Sequence, residues 1–457
     1  MQPRTPLGST WRNSSEDCLT LNVWTPASGG GERLPVMVLI PGGGFFGGGS
    51  AESLWECAAL AARGVVVVSL NYRLGVFGFF AHPMLSQESP KRPTGNYGLM
   101  DQIAALQWVR DNVSTCGGDA ANVTIFGESA GGSSVLYLMV APAARGLFAR
   151  AISQSGASIY APLTHRTESR YGRPSAEQTS AALGGDIRVL RALPAAELLQ
   201  RAATRWDVMY SESGNEYWPV VDGTALPDEP ATLFDAGRFY RVPLIVGTNT
   251  DEATLFATFL EPLPLAKSPP DWKKYLARQS LGAESLVQST YAVATAKEIV
   301  PAGIRWVNDW YFHGSARAVA RAVSQRGVPV YLYGFSHQPP VEPIPGRKMG
   351  VFHTAEIPYV FGVLRTPKDE PSPYGAVDST LARTMSGAWL QFAKSANPNG
   401  DGMPQWPRYA TSSDQHMAFG DVIEARSALH KASLDAFDLA FAQMRSFDRK
   451  ARQKPSR

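Results

Sequence analysis

Apolar residues recur along this chain in two rhythms. Residues 19–24 (LTLNVW) alternate and predict a strand. Residues 35–40 (PVMVLI), 65–70 (VVVVSL), 123–126, 149–153, 242–247 and 328–333 are nearly continuous apolar runs, as in strands buried within a sheet. Helical stretches are predicted at 54–62, 99–112 (Leu99, Ile103, Leu106 and Val109 on one face), 133–140, most of 251–326, and 384–393. A short last strand is expected at Met417-Ala418-Phe419. Ser433 is read as the cap of a final helix carrying a Leu434, Phe437, Phe441 and Met444 stripe. Strands alternating with helices imply an α/β fold, a mostly parallel sheet with helices on both faces.

Between these elements, residues 28–33 form a Gly-rich hairpin or loop, 338–346 a proline-rich loop, and 157–240 a mixed stretch. Residues 1–14 are polar and turn-rich. No internal repeat or linker is visible, so one α/β domain with helical insertions is expected over 1–457. A basic, frayed tail is expected at 445–457.

Composition narrows the function. Hydrophobic residues make up 44% and charged residues 18%, enough for a large core. Lys+Arg 43 against Asp+Glu 40 is too balanced for a nucleic-acid binder. Three cysteines, Cys18, Cys57 and Cys116, make neither a disulfide framework nor a zinc CxxC pair. No apolar run reaches membrane-spanning length, and the start has no signal-peptide core. The expectation is a cytoplasmic protein, or a periplasmic or secreted one should an upstream signal peptide have been lost.

The chemistry centres on Gly127-Glu128-Ser129-Ala130-Gly131, placed between a strand and a helix. Gly-x-Ser-x-Gly in that setting is a nucleophile elbow, which pushes a serine hydroxyl beyond the strand end on a tight turn. Gly127 and Gly131 leave room for the strand–helix crossing, and the Ala130 N–H lies at a helix start, where donors face an anion. In α/β-hydrolases a serine nucleophile is followed in chain order by an acid and then a histidine base. Of the seven histidines, His82, His165, His313, His337, His416 and His430 have undistinguished contexts. His353 follows a strand and a loop and is the candidate base. His353-x-x-Glu356 is also a conceivable metal pair, but no second pair accompanies it. The acid falls after the 242–247 strand, at Asp251 or Glu252. The residues themselves leave that choice open, with the other carboxylate capping the next helix. Gly42-Gly43-Gly44 after an early strand suits an oxyanion loop. Its Gly42-x-Gly44-x-x-Gly47 spacing also matches a dinucleotide motif, but no clear helix follows.

Taken together these motifs resemble the type-B carboxylesterases, the family that includes the cholinesterases, within the α/β-hydrolase superfamily. The resemblance is carried by residues 15–23 (SEDCLTLNV), 42–45 (GGGF), 71–79 (NYRLGVFGF), 95–102 (GNYGLMDQ) and 117–119 with the elbow. It continues through 154–156 (QSG), 219–223 (PVVDG), 353–358, Asn397-Pro398 and Trp406-Pro407. It implies an α/β-hydrolase fold and a serine esterase with Ser129 as nucleophile, Glu252 as acid and His353 as base. Gly43, Gly44 and Ala130 would be oxyanion donors, Ser155 a support for the acid, and Arg73 with Asp101 an internal salt bridge.

The chain departs from the family at Pro41, Ala253 and Cys116. It also has few residues before Cys18, where the family carries several tens, so an edge of the sheet is expected to be missing and Glu16 to lack its partner. The implied activity is hydrolysis of small carboxylic esters through an acyl-enzyme, by a monomer or homodimer with no cofactor and no metal. A non-catalytic binding protein or an inactive truncated esterase is the alternative. Phe45 and Phe46 suggest an apolar wall for the substrate.

Overall fold

The structure is a computed structural model of the chain that describes residues 15–88, 95–156, 159–181, 183–202, 217–259, 266–344, 346–365 and 371–453. The expectations for residues 1–14 and for the last four residues of the tail lie outside the described residues.

Nine strands form one sheet: β1 (Leu21–Trp24), β2 (Leu34–Ile40), β3 (Val66–Leu70), β4 (Gly118–Glu128), β5 (Arg150–Gln154), β6 (Leu244–Asn249), β7 (Val330–Phe335), β8 (Gln415–Phe419) and β9 (Ile423–Ser427). Their order is β1-β3-β2-β4-β5-β6-β7-β8-β9. Only the outer pairs, β1 with β3 and β8 with β9, run antiparallel. Because β1 pairs with β3, the 28–33 segment is a connecting loop and not a hairpin.

The continuous apolar runs are explained by burial on both faces. Val36, Val38, Ile40, Val66 and Val68 belong to one core, and Met37, Leu39, Val67, Phe126 and Ile245 to the other. Against the first core lie α1 (Tyr97–Asn112), α2 (Ala130–Val140), α4 (Gly314–Ser324) and α6 (Lys431–Gln453). Against the second lies α5 (Ala376–Ser395). Helix α3 (Glu252–Phe259) follows β6 directly and so carries its first residue at the sheet's C-terminal end.

Three expectations are corrected. Residues 445–453 are not frayed, since α6 continues to Gln453, with Asp448 buried. Ser433 lies inside α6 and donates its hydroxyl to the His430 carbonyl, so it is not the cap. Strand β9 was not foreseen, because its residues are mostly exposed and its apolar positions are only Ile423 and Ala425, too short an alternation to stand out.

Candidate active site

Three parallel strands, β4, β6 and β7, bring the candidate residues to the C-terminal end of the sheet. Ser129 follows β4 with φ 59° and ψ −125°, a conformation that strains any residue with a side chain. The turn is over-determined by packing. A Cβ on Gly131 would sit 2.0 Å from the Ile40 carbonyl oxygen, and one on Gly127 2.6 Å from the same atom. The Ser129 N–H donates to the Gln154 carbonyl at 2.9 Å, and Ser133 N–H donates back to the Ser129 carbonyl at 2.9 Å.

The two candidate carboxylates differ in their contacts. Glu252, fully buried at the start of α3, places Oε2 2.5 Å from His353 Nδ1. Its Oε1 accepts from Ser155 Oγ at 2.6 Å and from the Asn249 N–H at 2.7 Å. Asp251 instead accepts the Val351 N–H at 2.9 Å, so its carboxylate holds the histidine loop.

His353, 3% exposed, lies between two carboxylates. Nε2 is 3.0 Å from Glu128 Oε1, a charge-pair distance. The two atoms are not aligned for hydrogen bonding, and among the described residues neither has a hydrogen-bond partner, Ser129 Oγ included. The contact is therefore electrostatic. Burial opposes charge on the ring, but Glu128, Glu252 and Glu356 outweigh it and push the pKa up to about 9. Glu128 itself is driven well above the usual carboxylate range, first by burial and then by the neighbouring Glu356 and Glu252, with His353 pulling the other way. The rings of Phe256 and Phe312, each 5.1 Å from the imidazole by centroid, wall the site.

Glu128 was passed over in the sequence although it stands inside the elbow pentapeptide. One residue before the serine, at the end of β4, it can only project next to the same strand end. Glu356 is no metal partner of His353. It accepts from Gln154 Nε2 at 3.1 Å and Asn249 Nδ2 at 2.6 Å, and its pKa is raised, chiefly by burial and by Glu252. Among the described residues no group of three His, Cys, Asp or Glu could hold a metal ion.

The loop after β2 carries Gly43 and Gly44. Gly43 has φ +117°, and a Cβ there would lie 2.1 Å from the Gly47 carbonyl oxygen. The Gly43 carbonyl accepts from Phe46 and Gly47, while the N–H groups of Gly43, Gly44 and Ala130 donate to no turn, loop or cap carbonyl among the described residues. Phe45 is only 1% exposed and packs on Phe79, Tyr137 and Trp218, so it anchors the loop in the core. The Arg73–Asp101 pair is present at 2.8 Å.

A family model described as the carboxylesterase family matches residues 1–437. Fumonisin B1 esterase of Sphingopyxis macrogoltabida is 36% identical over 429 residues, covering 92% of this chain and 76% of that protein. Para-nitrobenzyl esterase of Bacillus subtilis (strain 168) is 37% identical over 409 residues, covering 86% and 77%. Among solved structures, a PNB esterase superposes with TM-score 0.77 at 31% identity over 95% of this chain and 87% of that one. A thermophilic PNB esterase does so with TM-score 0.78 at 32% identity over the same shares.

Proposed function

The chain belongs to the carboxylesterase family and is a carboxylic ester hydrolase, and on that premise we propose that Ser129 is its nucleophile, His353 its base and Glu252 its acid. The observation that carries the reading is the buried His353 Nδ1–Glu252 Oε2 contact of 2.5 Å, on a ring whose Nε2 lies 3.0 Å from Glu128, the residue before a serine held at φ 59°.

As Ser129 Oγ attacks the ester carbonyl carbon, His353 Nε2 takes its proton, turning from Glu128 towards the serine. Glu252 holds the Nδ1–H and stabilises the imidazolium. The N–H groups of Gly43, Gly44 and Ala130, which donate to no turn, loop or cap carbonyl among the described residues, receive the charge that develops on the carbonyl oxygen. The carbon–oxygen bond to the alcohol then breaks, and His353 returns its proton to the leaving oxygen. Water, deprotonated by the same imidazole, attacks the acyl-enzyme and releases the acid. Ser155 supports Glu252 by donating to Oε1, the oxygen that His353 does not use.

An activated aryl ester mixed with enzyme should give a burst of alcohol equal to the number of working sites, followed by steady turnover. Ser129→Ala should abolish both. Turnover at the wild-type rate in that variant would overturn the assignment.

A further inference from the structure

The turn that carries Glu252 is gripped from a side that the serine, histidine and acid do not use. Asn249 ends β6 fully buried, with its N–H on Glu252 Oε1. Its carbonyl oxygen faces His313 Nε2 at 2.8 Å. A carbonyl can only accept, so Nε2 carries the hydrogen. The other ring nitrogen, Nδ1, lies 3.6 Å from Asp309 Oδ1, near enough for charge attraction but too far for a hydrogen bond. Asp309 Oδ2 in turn accepts from the Tyr291 hydroxyl at 3.0 Å. Burial disfavours a charged His313, yet Asp309 and the Asn249 carbonyl outweigh it and hold its proton affinity above the ordinary histidine value. The exposed His430 ring stacks over it, with centroids 4.4 Å apart and planes 7° from parallel.

The backbone that delivers His313 is unusual. Asn308–His313 is a π-helical segment between Ile299–Val307 and α4. Wide turns of this kind re-aim side chains and frequently occur at functional sites. Both ends of the segment reach the acid turn. His313 takes the Asn249 carbonyl, and Asn308 Oδ1 accepts the Ala253 N–H at 2.7 Å. The two contacts bracket Glu252 in the sequence. No feature of the sequence around His313 had marked it out.

We propose that His313 is a positioning residue for the acid, the π-helical segment clamping residues 249–253 so that Glu252 Oε2 stays on His353 Nδ1. The inference rests on the reading of Glu252 as the acid.

The test is kinetics on an activated aryl ester, with every rate divided by the burst-titrated concentration of working sites. His313→Leu and His313→Met remove the donor, and His313→Gln restores an N–H at similar reach. We expect kcat per site to fall about tenfold in the first two, since small misplacements of a catalytic group cost rate steeply, with KM within about twofold, and most of the rate to return in His313→Gln. Asn308→Ala, acting from the other end of the segment, should also lower kcat per site without raising KM, so the test does not hang on one variant folding. A purely structural role would reduce the number of working sites and leave kcat per site at the wild-type value, and that result overturns the proposal. Glu252→Gln separates the two layers. If it is impaired while the His313 and Asn308 variants keep wild-type kcat per site, only the positioning role fails. If Glu252→Gln itself turns over normally, the acid assignment fails first.

Discussion

At the scale of single residues the proposed base, His353, is the informative group. His353 can accept the Ser129 proton only when Nε2 is unprotonated, yet two carboxylates flank it and its pKa is pushed up to about 9. For a neutral ester, kcat/KM should therefore still be rising with pH above neutrality and level off only beyond about 9. Glu128 is the largest of the influences that raise the value, so Glu128→Gln should move this limb to lower pH. A pH–rate profile whose limb stands at the ordinary histidine value, or does not respond to Glu128→Gln, would contradict the electrostatic picture. The same shift has a consequence for folding. A raised pKa means that the folded chain holds a proton the unfolded chain gives up. The stabilisation it brings is complete below the ordinary value of 6.5 and is lost as pH rises towards about 9.

The residue scale also marks a limit of sequence reading. Ser129 and His353 stood out because a pentapeptide and the chain order of the triad constrain them. Asp251 and Glu252 could not be separated by residue type, and only the resemblance to the family favoured Glu252. In space they differ completely, one carboxylate on the Val351 N–H and the other on the His353 ring.

At the scale of elements, the crossing of β2, β4 and α2 sets the serine. Two glycines let α2 approach the end of β2, and the strained Ser129 backbone follows from that approach. Gly131→Ala places a methyl 2.0 Å from a backbone oxygen that cannot swing away. It should cost about 1–3 kcal/mol of stability from overpacking and lower the burst amplitude, both measurable on the same preparation by thermal melting and active-site titration. A variant with wild-type melting and a full burst would show that the crossing can relax.

Element boundaries were legible where burial writes a period into the sequence. The parallel strands β2 to β7 are covered on both faces and read as apolar runs. Strand β9 pairs only with β8 and is mostly exposed, so its residues record almost nothing of its structure. The end of α6 misled for a related reason. Its basic residues suggested a solvated tail, while the residue that buries beyond Met444, Asp448, is charged and adds nothing to an apolar stripe.

At the scale of the whole molecule, α6 is fastened to distant parts of the chain by arginine–carboxylate contacts. Arg317 and Arg321 on α4 meet Asp435 and Asp438, Arg445 meets Asp235, and Arg170 places Nη2 2.6 Å from Asp448 Oδ2. Arg170 and Asp448 are 278 residues apart, a separation at which neither spacing nor periodicity announces a contact. Their side chains are 9% and 5% exposed, so the pair is buried and its energetics differ from those of a surface bridge. Burying two charges costs desolvation that their attraction only roughly offsets, so the pair adds little net stability over an apolar pair of the same size. Removing one partner is another matter, since it leaves the other charge buried without its main counter-ion. Asp448→Ala should therefore destabilise the protein by about 3 kcal/mol, the lower end for a broken buried pair, because Glu229 remains 4.0 Å from Arg170. The double variant Arg170→Met with Asp448→Leu should recover much of that loss, as both charges leave together. Denaturant melting of the two single variants and the double closes the thermodynamic cycle. Losses that simply add would mean that the two side chains act independently, and that α6 is held by its Phe437 and Phe441 packing without help from this pair.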